Sequence, residues 1–499
     1  MGDVKMKILM VSAEAVPFAK TGGLADAVSA LAGSLSKLGH DVKIVMPRYY
    51  KIDRKKLKKL EGPLGVPVGT GQEWTAVYTT TLPGFEKVNV YFLDHENCFG
   101  RDGVYGTKSE PDFFDNPYRF SLLCHGALQV CNKLGWFPDI VHAHDWSAAL
   151  APVLVKHVCR TQEAFKKTAS VFTIHNMGYQ GVYGKDKFND LGIDWNLYYG
   201  AGFERNGAIN FLQAGISSAD MVTTVSPTYA REIQTPEGGF GLDGLLRVRS
   251  DVVKGIVNGV DTEIWNPEKD AALPANFSSK DMSGKAECKK ALQQYFGLPE
   301  RDDVPVIAMI GRLVSQKGIA EVIAPNYGCL WGICRSLDVQ VVLLGSGERW
   351  AEDEINSLQG KLPNFRAKIG YNEKLSHLIE AGADFFLMPS QYEPCGLNQL
   401  YSELYGTLPI VRRTGGLADT VQNYNEQTGE GTGFMFDNLT PQAVYDTVGW
   451  AVYAYYNKKD HIRQMQKRAM EQDFTWTKSC RQYEKVYKEA LLRGCGIKL

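Results

Sequence analysis

Two basic side chains and one carboxylate have the types and positions needed to handle a phosphorylated substrate. Arg312 and Lys317 lie in residues 311–318 (GRLVSQKG), after an apolar run, and Glu393 lies in residues 389–397 (PSQYEPCGL), after another. A guanidinium offers a planar fork to phosphate oxygens and an ammonium offers a point charge, so together they could stabilise a departing diphosphate. Glu393 could accept hydrogen bonds from sugar hydroxyls or stabilise positive charge on an anomeric carbon. The alternative interpretation is that all three are solvated surface residues.

A nine-residue string occurs almost twice in the chain. Residues 20–28 are KTGGLADAV and residues 413–421 are RTGGLADTV, with seven identical positions and a basic residue first in each. Each copy follows a predicted strand and opens a predicted helix. Adjacent glycines let the backbone adopt positive φ and approach a ligand closely, and the free N–H groups at a helix start favour an anion. The repeat therefore predicts two phosphate-contacting loops, where a single copy could equally be a tight strand-to-helix turn.

A pair of histidines and one cysteine are weaker candidates. His142 and His144 lie in the segment VHAHDW, whose His-x-His spacing is compatible with a metal, but no third ligand is apparent, and a hydrogen-bonded structural histidine is the alternative. The chain has no Asp-x-Asp pair, which argues against a metal-diphosphate clamp. Cys395, next to Glu393, is expected to be a small buried residue rather than a nucleophile.

The elements that must position these residues alternate between apolar strands and helical segments. Residues 24, 27, 28, 31, 35 and 38 are apolar at helical spacing, and Gly39 predicts the end of that helix. In the first half, strands are predicted at residues 7–12, 42–46, 88–93, 139–142, 170–174 and 221–225. After a polar stretch at residues 266–284, a second set is predicted at residues 306–310, 339–344, 367–370, 384–388 and 409–411.

This pattern predicts an α/β protein with two Rossmann-like, doubly wound domains. Continuous apolar runs are typical of parallel strands buried on both faces, and two successive sets of alternating strands and helices indicate two such sheets. Ligands of these sheets bind beyond the carboxyl ends of the strands, so we expect the two domains to face each other across a cleft that holds the site. The chain lacks a Walker motif and a complete Gly-x-Gly-x-x-Gly after its first strand, so dinucleotide redox chemistry loses its main support.

The composition excludes several classes of protein. A chain of 499 residues is too long for one hydrophobic core, and its formal net charge of −1 gives no global field to hold nucleic acid or an anionic membrane. No apolar run is long enough for a membrane helix, and the N-terminal residues lack a signal-peptide pattern. Ten scattered cysteines without a Cys-x-x-Cys pair are expected to be reduced thiols of a cytoplasmic protein, or of the plastid stroma in a processed plant or algal form. The basic residues 51–59 are expected to form a solvated helix or loop rather than an anion-binding patch.

Long motifs, correctly ordered along nearly the whole chain, closely resemble those of bacterial glycogen synthases and plant starch synthases. They are KTGGLAD at 20–26, HAHDW at 142–146, NGVDTEIW at 258–265, GRLVSQKG at 311–318, YEPCGL at 392–397 and RRTGGLADTV at 412–421. The resemblance implies the glycosyltransferase B fold. It also implies a retaining transfer of glucose from ADP-glucose to the 4-hydroxyl at the non-reducing end of an α-1,4-glucan or maltooligosaccharide, with release of ADP. No metal or other cofactor is implied.

The resemblance also assigns domains and residues. It implies an N-terminal, acceptor-side domain at residues 1–262, a donor-binding domain at 263–474, and a C-terminal helix at 475–499 that crosses back to the first domain. The residues assigned to catalysis are Glu393 and His144, which would bind the glucose and place its anomeric centre, and Arg312 and Lys317, which would bind the diphosphate. Those assigned to substrate binding are Lys20, Thr21, Gly22, Gly23, Asp26, Asn258, Tyr371 (stacked on adenine), Cys395, Gly396, Leu397, Thr414, Gly415 and Gly416.

One departure from the wider superfamily bears on mechanism. Many relatives place a second glutamate eight residues after the first, and that position is Tyr401 here, as is usual in the starch-synthase branch. The substitution removes the case for a paired-carboxylate mechanism like that of glycosidases. A same-fold transferase for another nucleotide sugar stays an alternative, as does a non-catalytic glucan-binding or priming partner. A hydrolase or phosphorylase is disfavoured, because no motif for either was recognised.

Overall fold

The computed structural model describes residues 4–499, which divide into two compact units. The N-terminal unit consists of residues 4–259 together with Trp476–Leu499, and the C-terminal unit is Val260–Thr475. The predicted boundaries at 262/263 and 474/475 lie close to these limits. The donor and acceptor roles attached to the two domains stay predictions.

The N-terminal unit is built around one large sheet. The strands of the large sheet are β1 (Lys7–Val11), β2 (Asp41–Pro47), β3 (Lys58–Lys59), β4 (Leu64–Val68), β5 (Gly71–Leu82), β6 (Phe85–Asp94), β7 (Ile140–His144), β8 (Ala169–Ile174), β12 (Met221–Thr224) and β13 (Val253–Gly255). A separate antiparallel sheet consists of β9 (Val182–Gly184), β10 (Glu204–Arg205) and β11 (Ala208–Asn210). The helices of the same unit up to residue 259 are α1 (Gly23–Lys37), α2 (Glu96–Phe99), α3 (Asn116–Leu134), α4 (Leu150–His157), α5 (Leu197–Gly200), α6 (Phe211–Ser218), α7 (Pro227–Glu232) and α8 (Asp243–Val248).

The large sheet has a parallel part and an antiparallel edge. Its order is β13-β12-β8-β7-β1-β2-β6-β5-β3, with β4 paired to β5, and all pairings from β13 to β6 are parallel. The middle strands β7, β8 and β12 are buried throughout, as continuous apolar runs predict. The chain leaves β1 toward β2 on one side and later returns at β7 on the other, so the strand order reverses beside β1. This is the point where such sheets bind ligands.

The antiparallel edge was not predicted. Strands β3, β4 and β6 all run antiparallel to β5, whose residues are only partly buried, so one face meets water and no continuous apolar run marks the strand. The six strands that were predicted for this unit pair in parallel with one another, and β5 lay outside that prediction. The basic residues 51–59 form a 3₁₀ turn, Arg54–Lys56, followed by β3, and all six basic side chains are exposed.

The C-terminal unit is a second, smaller doubly wound sheet. Its strands are β14 (Val306–Leu313), β15 (Gln340–Gly347), β16 (Phe365–Ile369), β17 (Phe385–Met388), β18 (Leu408–Arg412) and β19 (Phe434–Phe436). Its helices are α9 (Ser283–Phe296), α10 (Ile319–Ile323), α11 (Leu330–Ser336), α12 (Arg349–Lys361), α13 (Glu373–Gly382), α14 (Asn398–Leu404), α15 (Gly415–Thr420), α16 (Pro441–Asn457) and α17 (Lys459–Met470). All strands are parallel in the order β16-β15-β14-β17-β18-β19, which is the 3-2-1-4-5-6 order of a Rossmann sheet.

The last helix, α18 (Trp476–Cys495), belongs to the N-terminal unit. Its buried residues, among them Tyr483 and Tyr487, join the apolar core of the large sheet. The Tyr487 hydroxyl lies 2.9 Å from Nδ1 of His142 on β7. Elsewhere on the same helix, Oε1 of Glu484 lies 3.0 Å from Nε2 of His40. The C-terminal helix therefore stabilises the strand that leads to His144.

Candidate functional site

The first glycine loop is held by a buried carboxylate. Glu14 lies between β1 and α1, and its side chain accepts hydrogen bonds from the backbone N–H and the hydroxyl of Thr21 and from the hydroxyl of Tyr105. Burial raises the pKa of Glu14, although each of these hydrogen bonds favours the ionised form. Next to it, Lys20 pairs with Asp26 at 2.8 Å, with both side chains partly exposed. Glu14 and Tyr105 were not among the predicted site residues.

The two glycines of this loop do not use the conformational freedom that was predicted for them. Gly22 precedes α1 in an extended conformation, with φ −161°, and Gly23 is the first helical residue. A Cβ built on Gly22 would meet no atom within 4 Å. The expectation of positive φ is therefore wrong here. Glycine at this position instead leaves open space in front of a helix start that no side chain caps.

Three histidines lie on or just after β7 and β8: His142 and His144 are buried residues of β7, and His175, which is partly buried, directly follows β8. His142 is held on both sides, by Tyr487 and by Thr173 Oγ1 at 2.6 Å, so its role is structural. His144 Nδ1 lies 3.2 Å from Nε2 of His175, whereas His144 Nε2 is buried and has no hydrogen-bond partner among the described residues. Burial, together with the neighbouring imidazoles, holds the pKa of His144 well below its usual range, and burial lowers that of His175 to about 3. Both rings are therefore neutral and able to hydrogen-bond a sugar.

Asp145 fixes the turn that follows His144. Its φ is 57°, an uncommon value for a residue other than glycine, and its carboxylate accepts the backbone N–H of His175 at 2.7 Å. Burial raises the pKa of Asp145 to about 7. Neither Asp145 nor His175 was predicted, although His175 directly follows β8 and the rule on strand carboxyl ends could have found it. Asn258 is buried beyond β13, and no hydrogen bond among the described residues joins it to the histidines or the glycine loop.

The C-terminal unit brings Lys317 and Glu393 together. Lys317 Nζ donates to Glu393 Oε2 at 2.5 Å, and Ser390 Oγ donates to the same oxygen at 3.0 Å. Glu393 is buried, so the cation compensates a carboxylate that would otherwise be costly to desolvate. Arg312 lies differently from the prediction, because β14 continues to Leu313 and Arg312 is an exposed strand residue that donates to Gln316 at 3.2 Å. The predicted cationic pair is thus an exposed arginine and a lysine already paired with Glu393.

The second glycine loop packs directly on the segment that carries Glu393. Gly415 has φ +45°, and a Cβ there would lie 1.9 Å from the Glu393 carbonyl oxygen. A Cβ on Gly416 would lie 1.9 Å from the Cys395 carbonyl oxygen, and Gly416 N–H donates to the Glu393 carbonyl at 3.0 Å. Only glycine permits this approach of two backbones. Cys395 and Thr414 are buried there, Gly396 has φ +71°, and Leu397 directly precedes α14.

Two tyrosines have contrasting surroundings. Tyr371 follows β16, beyond Gly370, and is 74% exposed, as a ring that stacks on a ligand must be before the ligand binds. Tyr401, at the position where relatives carry a second glutamate, stacks on Trp265 with ring centroids 3.8 Å apart and an interplanar angle of 5°. The opposite face of Trp265 stacks on His377 at 3.9 Å. This position therefore serves packing rather than acid–base chemistry.

Residues 4–499 contain no group of three or more histidine, cysteine or acidic side chains able to hold a metal ion. Within the same residues, no helix is both long enough and apolar enough to span a bilayer. The polar side chains described above lie instead at the carboxyl ends of β1, β7, β8, β14, β17 and β18, beside the two points where strand order reverses. Two Rossmann-like units with such side chains define a glycosyltransferase of the B fold.

Comparisons with known proteins agree with this assignment to the glycosyltransferases of the B fold. The family described as "Starch synthase catalytic domain" matches residues 7–248, and "Glycosyl transferases group 1" matches residues 293–470. Glycogen synthase of Treponema denticola is 60% identical over 492 residues, covering 99% of this chain and 100% of the relative. Glycogen synthase 1 of Geobacter metallireducens is 47% identical over 498 residues, covering 99% and 98%. The chain belongs to the glycogen synthase family.

Solved structures confirm the fold class. The catalytic domain of starch synthase IV from Arabidopsis thaliana, bound to ADP and acarbose, superposes with a TM-score of 0.88 at 32% identity and covers 98% of this chain and 100% of its own. Sucrose-phosphate synthase from Thermosynechococcus elongatus, at a TM-score of 0.60 and 16% identity, covers 97% and 98% and supports the fold alone.

Proposed function

We propose that this chain elongates an α-1,4-glucan by transferring glucose from ADP-glucose to the 4-hydroxyl at its non-reducing end, with retention of configuration. The observation that carries the proposal is the ion pair between the partly exposed Lys317 and the buried Glu393, beside the second glycine loop. It is supported by the glycogen synthase relatives and by the starch synthase that was solved with ADP and acarbose. No metal or other cofactor takes part in the proposed reaction.

The C-terminal set would bind the donor and stabilise its departing group. Lys317 and the exposed Arg312 would contact the diphosphate, whose negative charge grows as the bond to the anomeric carbon breaks. Glu393 would accept hydrogen bonds from glucose hydroxyls and stabilise the oxocarbenium-like carbon. The backbone of residues 395–397 and of the second glycine loop would contact glucose and phosphate oxygens, and Tyr371 would stack on the adenine.

The N-terminal unit carries a second set of proposed donor contacts. The open loop at Gly22-Gly23 and Lys20 would contact the donor, and Asp26 orients Lys20 through its ion pair. The unpartnered, neutral Nε2 of His144 would hydrogen-bond the donor glucose. Asn258 is a further proposed member, and no hydrogen bond among the described residues joins it to this set.

The proposed transfer proceeds on one face of the sugar. The bond between the anomeric carbon and the diphosphate oxygen breaks, the bond to the acceptor 4-oxygen forms, and the acceptor proton moves to the departing phosphate oxygen. No second carboxylate is needed, which agrees with Tyr401 being stacked on Trp265.

Chain elongation tests this function. Protein and a labelled maltooligosaccharide are incubated with ADP-glucose or UDP-glucose, with and without EDTA, and products are resolved by length. We expect elongation with ADP-glucose that EDTA does not reduce. Elongation by UDP-glucose alone would assign another donor, and no elongation by either would overturn the proposal.

Two variants separate the role of Glu393 from a general loss of structure. Glu393→Ala should lower kcat by about 100-fold or more while ADP still binds, because its contacts are proposed to matter most in the transition state. Glu380→Gln is the matched control, since burial raises the pKa of Glu380 to about 8 and a neutral amide reproduces the form held near pH 7. A Glu393→Ala protein with wild-type kcat would refute the assigned role.

A further inference from the structure

Gln399 lies in the first turn of α14, fully buried, directly behind the segment that carries Glu393. Its Nε2 donates to the carbonyl oxygens of Cys395 at 3.0 Å and Gly396 at 3.1 Å. The same nitrogen lies 3.2 Å from Oγ1 of Thr420, on α15. One side-chain amide therefore joins two segments that the chain order separates.

Thr420 extends this connection to the second glycine loop. Its Oγ1 donates to the carbonyl oxygen of Gly416 at 2.7 Å, and Gly416 N–H donates in turn to the carbonyl of Glu393 at 3.0 Å. The hydrogen bonds thus run from Gln399 through Thr420 and Gly416 to Glu393. Both segments are fixed relative to each other through buried polar atoms, where such bonds are strong and their loss is costly.

The direction of two peptide groups follows from these bonds. A trans peptide group holds its C=O and the next N–H in opposite directions, so carbonyls turned toward Gln399 turn the N–H groups of Gly396 and Leu397 away from it. Neither N–H has a hydrogen-bond acceptor within residues 4–499, and the hydrogen bonds of these two residues involve their carbonyl oxygens. Two preorganised donors are therefore left for a ligand.

We propose that Gln399 is a positioning residue that aims the N–H groups of Gly396 and Leu397 at oxygen atoms of the nucleotide-sugar donor. This inference rests on the proposed function. It assigns the proposed donor contacts of residues 395–397 to backbone N–H groups whose orientation depends on one buried amide, rather than to the Cys395 thiol.

Gln399→Met tests the inference, because methionine keeps the length and lack of branching but removes the amide. We expect kcat/KM for ADP-glucose to fall about 10- to 100-fold, since misaimed donors lose stabilisation of the departing charge, while KM for the maltooligosaccharide stays unchanged. Gln213→Met is the matched control: Gln213 Nε2 also donates to two carbonyl oxygens, those of Gly202 and Glu204, but in the N-terminal unit. The control should lose thermal stability without changing donor kinetics.

A double-mutant cycle adds a readout that a purely structural role would not move. Thr420→Val removes the hydroxyl at constant shape, and the Gln399→Met/Thr420→Val protein should lose less in donor kcat/KM than the product of the two single losses, because both act on one connection. Wild-type donor kcat/KM in folded Gln399→Met would overturn the inference, as would multiplicative losses. ADP binding measured by calorimetry separates failure of this inference from failure of the proposed function. Gln399→Met should bind ADP more weakly than wild type even if the wild-type protein does not elongate glucans.

Discussion

Replacing Gly416 by alanine places one methyl group where two backbones meet. The new Cβ would lie 1.9 Å from the carbonyl oxygen of Cys395, whereas real Cβ contacts are essentially never shorter than 3.0 Å. The two segments must therefore separate by about 1.1 Å, the difference between these distances. Neither contact atom belongs to a flexible side chain, so the strain cannot be relieved locally.

Both activity and stability should respond to this separation. Moving the Glu393 segment by about 1 Å from the glycine loop should lower donor kcat/KM by roughly 100-fold. Overpacking should lower the free energy of unfolding by about 1–3 kcal/mol. The hydrogen bond from Gly416 N–H to the Glu393 carbonyl is lost as well.

Steady-state kinetics with varied ADP-glucose, together with thermal unfolding, measures both effects. Gly449→Ala is the control in the same unit: Gly449 lies inside α16, a Cβ there would meet nothing within 4 Å, and the change should stabilise the chain by up to about 1 kcal/mol without altering kinetics. If Gly416→Ala keeps wild-type donor kcat/KM and wild-type stability, the reasoning from backbone contact is refuted.

Three further predictions concern charge, pH and stacking. Lys317→Met should lower kcat by about 100-fold or more, because removing the cation leaves Glu393 buried without its 2.5 Å partner. Lys317→Arg keeps a cation and should retain more activity than Lys317→Met. Chain elongation by Lys317→Met at the wild-type rate would contradict this. Burial raises the pKa of Asp145 from 3.8 to about 7, so the folded chain binds this proton more tightly than the unfolded chain and stability is lost as pH rises from about 4 to 7. In denaturant unfolding, the free energy of unfolding of wild type should fall by on the order of 4 kcal/mol more than that of Asp145→Asn over that pH range. Parallel plots of unfolding free energy against pH for the two proteins would show that Asp145 does not titrate there. Tyr401→Ala should cost about 2–4 kcal/mol of unfolding free energy and change the fluorescence of Trp265, while Tyr401→Phe keeps the stacked ring and should cost less.

The pH prediction relies on a difference between two proteins because other buried groups act in the opposite sense. His142, His144 and His175 all have pKa values lowered by burial, so they add stability as pH rises toward their ordinary values. These contributions are shared by wild type and Asp145→Asn and cancel to first order. Glu14 is also buried, and its raised pKa makes it act in the same sense as Asp145. Because both proteins contain Glu14, its contribution cancels in the comparison as well.

The fold could be predicted because its signal is local. A strand buried on both faces must be apolar throughout, so β1, β7, β8 and β14 are visible as runs in the sequence. The amphipathic edge strand β5 lacks that constraint. Its partly exposed residues follow no continuous apolar run, and its antiparallel pairing with β6 was missed.

The candidate site was predictable only as far as strand ends and motifs allow. Lys317 and Glu393 each follow a buried strand, which places them at one sheet edge, but their ion pair joins residues 76 positions apart and no local pattern specifies it. Glu14 and Asp145 were missed for a different reason. A single carboxylate carries no signal by itself, and its importance appears only when the backbone N–H groups and hydroxyls that bind it are brought together.

The two glycine loops show how one string can satisfy two different constraints. At Gly22 the backbone is extended and a side chain would find empty space, so stability alone does not require glycine, and ligand access is the remaining physical reason. At Gly415 and Gly416 a side chain would collide with the Glu393 segment, so packing alone favours glycine. Alanine at Gly22 should therefore reduce donor use without loss of stability, whereas alanine at Gly416 should reduce both. The sequence identity of the loops thus hides a division between a loop open to ligand and a loop fixed by packing.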